Sequence, residues 1–141
     1  MKEIWTTDKP EYHGEFVSFP PMMTWPKPSQ KPHPPIIVGG AFRLAARRAI
    51  RYGDGVLPAA PAGSGSAEEF MPRLRQMAED AGRDPQSLSV TLGGAPEDID
   101  VLKRNRDLGV TRMTVRLPPA KGGEILSILD RWAKLIPQVR N

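Results

Sequence analysis

Few side chains in this chain of 141 residues are suited to covalent chemistry. Cysteine is absent, which excludes a thiolate nucleophile, a disulfide framework and a thiolate metal site. His13 and His33 are the only histidines, and no carboxylate cluster gives them metal-ligand spacing, so no metal site is expected. No Ser–His–acid set, Walker motif or dinucleotide fingerprint can be assembled, and no catalytic residue is assigned. The chemistry that remains belongs to the backbone. Ile36-Ile37-Val38 runs into Gly39-Gly40, and an amphipathic stretch begins directly after. The N–H groups of Gly39, Gly40, Ala41 and Phe42 therefore fall where a strand ends and a helix begins, a place that binds phosphate well. The same glycine pair would serve equally as a tight connection without a ligand. Thr91, Thr114 and Arg116 alternate with apolar neighbours on two later strands. They would line a cavity if that face turned inward, and Arg116 would then meet an anionic group; in an open sheet it would face solvent.

The elements that must position these residues follow from periodicity. Ile36 to Val38 is a β-branched run without polar alternation, as in a strand buried on both faces. Phe42, Ala45, Ala46, Ala49 and Ile50 form one helical stripe, with Arg43, Arg47 and Arg51 opposite. Gly53 is expected at the helix end and Val56-Leu57 opens the next strand. Ser66 and Glu69 have capping-box spacing, and Phe70, Leu74, Met77, Ala78 and Ala81 form a stripe that Pro72 either kinks or delays to a start near Phe70. Leu88 to Leu92 is a third strand; Pro96 is expected at the first position of the helix that follows. Arg112 to Leu117 is the fourth strand, and Ile125, Ile128, Leu129, Trp132 and Ile136 mark a last helix ending at Pro137. Strands near 36–38, 56–58, 88–92 and 112–117, each followed by a helix, predict an α/β fold with four parallel βα units. Such a chain is either a small open sheet or half of a (βα)8 TIM barrel, a fold that takes about 250 residues when whole.

Residues 1–35 are different in kind. Eight of the 16 prolines lie there, seven of them from Pro20 to Pro35, which forbids regular helix or central strand. An extended strap is expected, pinned by Trp5, Phe16, Phe19 and Trp25. Lys2 to Trp5 reads as the last turn of a helix whose beginning lies upstream. The domain division expected is 1–35 for this remnant and strap and 36–141 for the (βα)4 body. The net charge of +4 fits a solvated arginine face or a phosphate-bearing ligand. Nucleic acid is not expected, because the arginines are spread over several helices without interleaved aromatics. No apolar run approaches the roughly 18 residues of a membrane span, and no leader pattern is visible at Met1, so a cytoplasmic location is expected.

Several pieces together resemble the luciferase-like flavin-dependent monooxygenases, within them the branch that uses a deazaflavin. These are Glu3 to Asp8 with Tyr12 to Phe19, Pro26-Lys-Pro28, Gln30 to Gly40, and Ala46-Arg-Arg-Ala49 with Arg51-Tyr-Gly-Asp-Gly55. Ala81-Gly-Arg-Asp-Pro85 and Leu108 to Met113 complete the pattern. The resemblance implies the C-terminal half of one barrel, strands five to eight, with the proline-rich strap as an insertion over the active-site mouth. It implies an oxidoreductase or monooxygenase module whose cofactor is reduced FMN or the deazaflavin coenzyme F420. The cofactor phosphate would sit on Gly39 to Phe42, where relatives often carry a smaller residue than Phe42; Val56 likewise stands where tryptophan is common. Half of a barrel would leave an apolar inner face and two strand edges uncovered, so a homodimer pairing two halves, or pairing with an N-terminal half-barrel, is expected. The alternative is a truncated half-barrel that folds and self-associates without activity.

Overall fold

A computed structural model of the chain describes residues 1–59 and 67–140. The chain forms two compact units, Met1–Pro35 and Ile36–Asn141. The first holds a short helix α1 (Lys2–Thr6) and an antiparallel pair, β1 (Tyr12–His13) with β2 (Ser18–Phe19). Gly14 closes the turn by donating its N–H to the Val17 carbonyl at 2.9 Å, and the Tyr12 and Phe19 rings lie 6.2 Å apart across the pair. From Pro20 to Pro35 there is neither helix nor strand. The residue that ties this run down is a lysine. The Lys27 ammonium donates to the Ile4 carbonyl at 2.7 Å, the Thr7 carbonyl at 2.6 Å and the Thr24 hydroxyl at 2.6 Å. Two of those acceptors lie in the last turn and cap of α1, where a cation suits the negative end of the helix dipole. The expected aromatic pins are only partly correct. Phe16 and Trp25 are 90% and 60% exposed, whereas Trp5 is half-buried against His33.

The second unit alternates strand and helix. Its elements are β3 (Ile37–Ala41), α2 (Phe42–Tyr52), β4 (Gly55–Ala59), α3 (Ala67–Asp80), β5 (Ser89–Gly93), α4 (Ile99–Asp107), β6 (Arg112–Thr114) and α5 (Gly122–Arg140). The four strands lie in sequence order, β3-β4-β5-β6, and every pair is parallel. Parallel neighbours joined each time by one helix are consecutive βα units, and four of them make half of a (βα)8 barrel. Val38, Val56 and Val90 stand in register across three strands and face the helices. Ala45, Ala46 and Ala49 of α2 are fully buried against them, since only a methyl-sized side chain lets the helix lie this close to the sheet. Phe70, Met71, Leu74 and Ala78 of α3 complete the core.

Several boundaries differ from expectation for local reasons. β3 continues through both glycines, with Gly39 opposite Leu57 and Gly40 opposite Pro58, so the pair ends the strand rather than forming a turn after it. β6 stops at Thr114, three residues short of the expected end. α4 opens at Ile99, because the Asp98 carboxylate accepts from the N–H groups of Asp100 (2.9 Å) and Val101 (3.1 Å) and caps it there; Pro96 is outside. α3 runs straight through Pro72 and α5 through Pro137. A proline removes one helical bond at a cost of about 3 kcal/mol, and in α3 the burial of Phe70, Met71 and Leu74 outweighs it. Ser66, the expected cap of α3, lies outside the described residues. Gly53 ends α2 with an extended φ of −88°, so it is not a left-handed cap. Space explains it: a Cβ there would sit 2.9 Å from Val38 Cγ2 and 3.0 Å from Ala49 Cα.

Candidate functional site

The two ends of the sheet do different work. At the amino ends, the residues of two conspicuous sequence runs act as fasteners. Asp54 accepts the Ile36 N–H on its carboxylate at 2.7 Å and donates its own N–H to the Ile36 carbonyl at 2.8 Å. Its carbonyl takes both the N–H (3.0 Å) and the hydroxyl (3.1 Å) of Ser89, so one residue stitches three strands together. Gly55 leaves no room for a side chain between Ser89 and Ile37. The Arg83 guanidinium donates to the carbonyls of Ala49, Ile50 and Gly53, each at 2.8 Å, and to the Ser87 hydroxyl at 3.1 Å. These are the last carbonyls of α2 and its cap, and a planar fork of donors satisfies them together. Arg51 to Gly55 and Ala81 to Pro85 are thus structural.

The carboxyl ends of the strands open on a cleft of about 1030 Å³. Gly39, Gly40, Ala41 and Phe42 line it on the β3 side, and Thr114 and Arg116 on the β6 side. Six of the seven residues singled out in the sequence therefore share one cavity. Thr91 does not line it. It is buried, on the sheet face opposite Val90, and its hydroxyl has no partner among the described residues. Arg116 lies beyond the end of β6, so strand alternation does not place it; the cleft does.

The β3 side is electrostatically open. The N-cap of α2 is Ala41, which supplies no side-chain acceptor, and the first turn contains no acidic residue. The leading N–H groups of an 11-residue helix are thus without a capping side chain beside the cleft. Gly40 has φ +123°, which side chains rarely permit, and a Cβ there would approach Arg48 Nη2 to 3.2 Å. Arg48 itself donates to the Gly39 carbonyl at 3.1 Å, bringing a positive charge to the same turn. The Phe42 ring is packed on Phe70 of α3, centroids 5.6 Å apart, and joins the core. Its bulk is accommodated between α2 and α3.

The other walls were less visible in the sequence. Leu57, Pro58, Phe70, Leu92, Pro96, Val101 and Met113 make the cleft largely apolar, and Glu69, Arg73 and Asn105 add polar groups from helices. Asn105 had a usable signal: it follows Val101 by one turn, a polar residue on the apolar face of α4. Its amide meets Met113 Sδ at 3.8 Å. His13 and His33 are engaged locally, with the Ser18 hydroxyl at 3.0 Å and the Pro34 carbonyl at 2.8 Å. Among the described residues no group of three or more His, Cys, Asp or Glu could hold a metal. No helix among them is long and apolar enough to cross a membrane.

Comparison with known proteins agrees with this architecture. The sequence profile of the family described as luciferase-like monooxygenase matches residues 1–96. An uncharacterised protein of Mycobacterium tuberculosis is 33% identical over 140 residues, covering 94% of this chain and 46% of its own length. The FMNH2-dependent dimethylsulfone monooxygenase of Pseudomonas putida is 44% identical over 54 residues, 38% of this chain and 15% of its own length. The crystal structure of the monooxygenase RslO1 from Streptomyces bottropensis superposes with a TM-score of 0.50 at 20% identity, over 97% of this chain and 41% of that one. The chain spans just under half the length of the mycobacterial relative it matches.

Proposed function

Because the chain belongs to the luciferase-like monooxygenase family, we propose that it carries the cofactor-phosphate site of a monooxygenase that uses a reduced flavin or deazaflavin. The observation that carries this reading is the uncapped N-terminus of α2 opening on the cleft. Gly40, Ala41 and Phe42 would hold the phosphate through their N–H groups, with the Arg48 guanidinium nearby. The residues present fit such a group: nothing acidic stands in that first turn, and Gly40 keeps the approach clear. The name of the Pseudomonas putida relative, FMNH2-dependent, supports a flavin. The reduced ring, when bound, supplies a hydride or the electrons that activate dioxygen. This chain's part is to anchor and orient. Leu57, Pro58, Leu92 and Pro96 would shield the ring from water. Turnover would also need the other four βα units of the barrel, since the chain matches under half of the mycobacterial relative.

The test is a fluorescence titration with FMN, the deazaflavin coenzyme and riboflavin. Saturable binding of one phosphate-bearing cofactor, tighter than riboflavin by about tenfold or more, is the expected result, since charge-assisted hydrogen bonds to phosphate are strong. Equal affinity for FMN and riboflavin, without binding of the deazaflavin, would overturn the reading.

A further inference from the structure

The phosphate reading accounts for the β3 side of the cleft and leaves the β6 side unexplained. Arg116, Thr114 and Asn105 all line the cavity there, beside Leu92, Val101 and Met113. Asn105 is half-buried, and its only side-chain partner among the described residues is a thioether sulfur, a weak acceptor. Thr114 Oγ1 reaches the Leu92 carbonyl only at 3.4 Å. Arg116 makes no ion pair among the described residues. On the α3 wall, Glu69 and Arg73 have opposite charges, so Arg116 is the net positive charge of the cleft's side chains. Strand spacing separates this corner from the glycine end of β3. β6 is three strands away in the order β3-β4-β5-β6, about 14 Å at the usual spacing of neighbouring strands. A phosphate held at the N-terminus of α2 does not reach it.

We infer that this corner is a second anion subsite, which takes the carboxylate of an apolar organic acid whose body lies along Leu92, Val101 and Met113. The inference deepens the flavin reading by naming a substrate class for the same cleft. Arg116 would bind the carboxylate, and Asn105 and Thr114 would donate to its second oxygen. A chain of donors at the end of an apolar wall discriminates by charge more than by shape, since the neutral analogue leaves the donors unpaired.

The probes are 2-naphthoate and 2-naphthylmethanol, which share an apolar body and differ in the carboxylate. The protein should bind naphthoate about tenfold more tightly than the alcohol, the scale of one charge-assisted contact. Arg116→Gln should remove that preference and leave the affinity for the alcohol unchanged, and Arg116→Lys should keep part of it. Equal binding of the two probes, or a preference that survives Arg116→Gln, would overturn the subsite. So would a loss of the FMN-over-riboflavin preference in Arg116→Gln, which would assign the arginine to the cofactor phosphate. If neither flavin nor deazaflavin binds and the naphthoate preference still depends on Arg116, the subsite stands and the cofactor reading falls.

Discussion

Ala41 decides what the N-terminus of α2 can do. An aspartate or serine at that cap would satisfy the leading N–H groups internally; an alanine leaves them facing the cleft. The substitution Ala41→Asp therefore has two opposite effects. It should raise stability by about 0.5–1 kcal/mol, because the carboxylate caps the helix and meets its positive dipole end. It should also remove the preference for FMN over riboflavin, because that carboxylate takes the phosphate's place and repels it. Thermal melting and flavin titration on one variant read both. A second residue, Thr91, holds a buried hydroxyl without a partner among the described residues. Replacing it with the similarly shaped valine should leave stability unchanged or raise it by about 1 kcal/mol, since an unpaired buried hydroxyl is itself costly. A loss in urea unfolding would show that the hydroxyl is satisfied. Residue types alone pointed to Gly39, Gly40, Ala41, Phe42, Thr114 and Arg116, all of which share the cleft. They did not place Thr91, because alternation along a strand tells which face a side chain takes and not what covers it.

At the scale of elements, the chain is held by a few polar fasteners that periodicity does not reveal. Arg83 ties the end of α2 to the loop after α3 through three carbonyls. Arg83→Ala should cost about 2 kcal/mol in urea unfolding, the scale for hydrogen bonds from a charged donor. Arg83→Lys should recover little, because an ammonium cannot present the same planar fork. A full recovery by lysine would show that charge alone matters. Helix existence was legible wherever an apolar stripe was strong: α2, α3 and α5 all stand where their stripes lie. Their ends were not. Pro137 does not end α5, and Pro72 does not delay the start of α3 to Phe70; both lie inside their helices. Asp98 set the start of α4 through two hydrogen bonds, a competition that Pro96 lost.

At the scale of the molecule, the order strand, helix, strand was enough to predict four parallel βα units, because parallel neighbours require crossover helices. The division of labour between the two ends of the sheet was not legible. Conspicuous runs such as Arg51 to Gly55 are fasteners at the amino ends, while the cleft at the carboxyl ends draws on single residues from α3 and α4. Half of a barrel has consequences of its own. Among the described residues β3 and β6 are the outer strands of the sheet, and unpaired strand edges are templates for association. Light scattering at micromolar concentration should therefore give the mass of a dimer; a monomer would contradict the expected self-association.

Whether the uncapped start of α2 holds a phosphate is read by titrating the chain with FMN, the deazaflavin coenzyme and riboflavin side by side. FMN and riboflavin share the ring and differ in the phosphate. Saturable binding of FMN or of the deazaflavin coenzyme, about tenfold or more tighter than riboflavin and lost in Ala41→Asp, is the expected result. Equal affinity for FMN and riboflavin without binding of the deazaflavin, or a preference that survives Ala41→Asp, would overturn it.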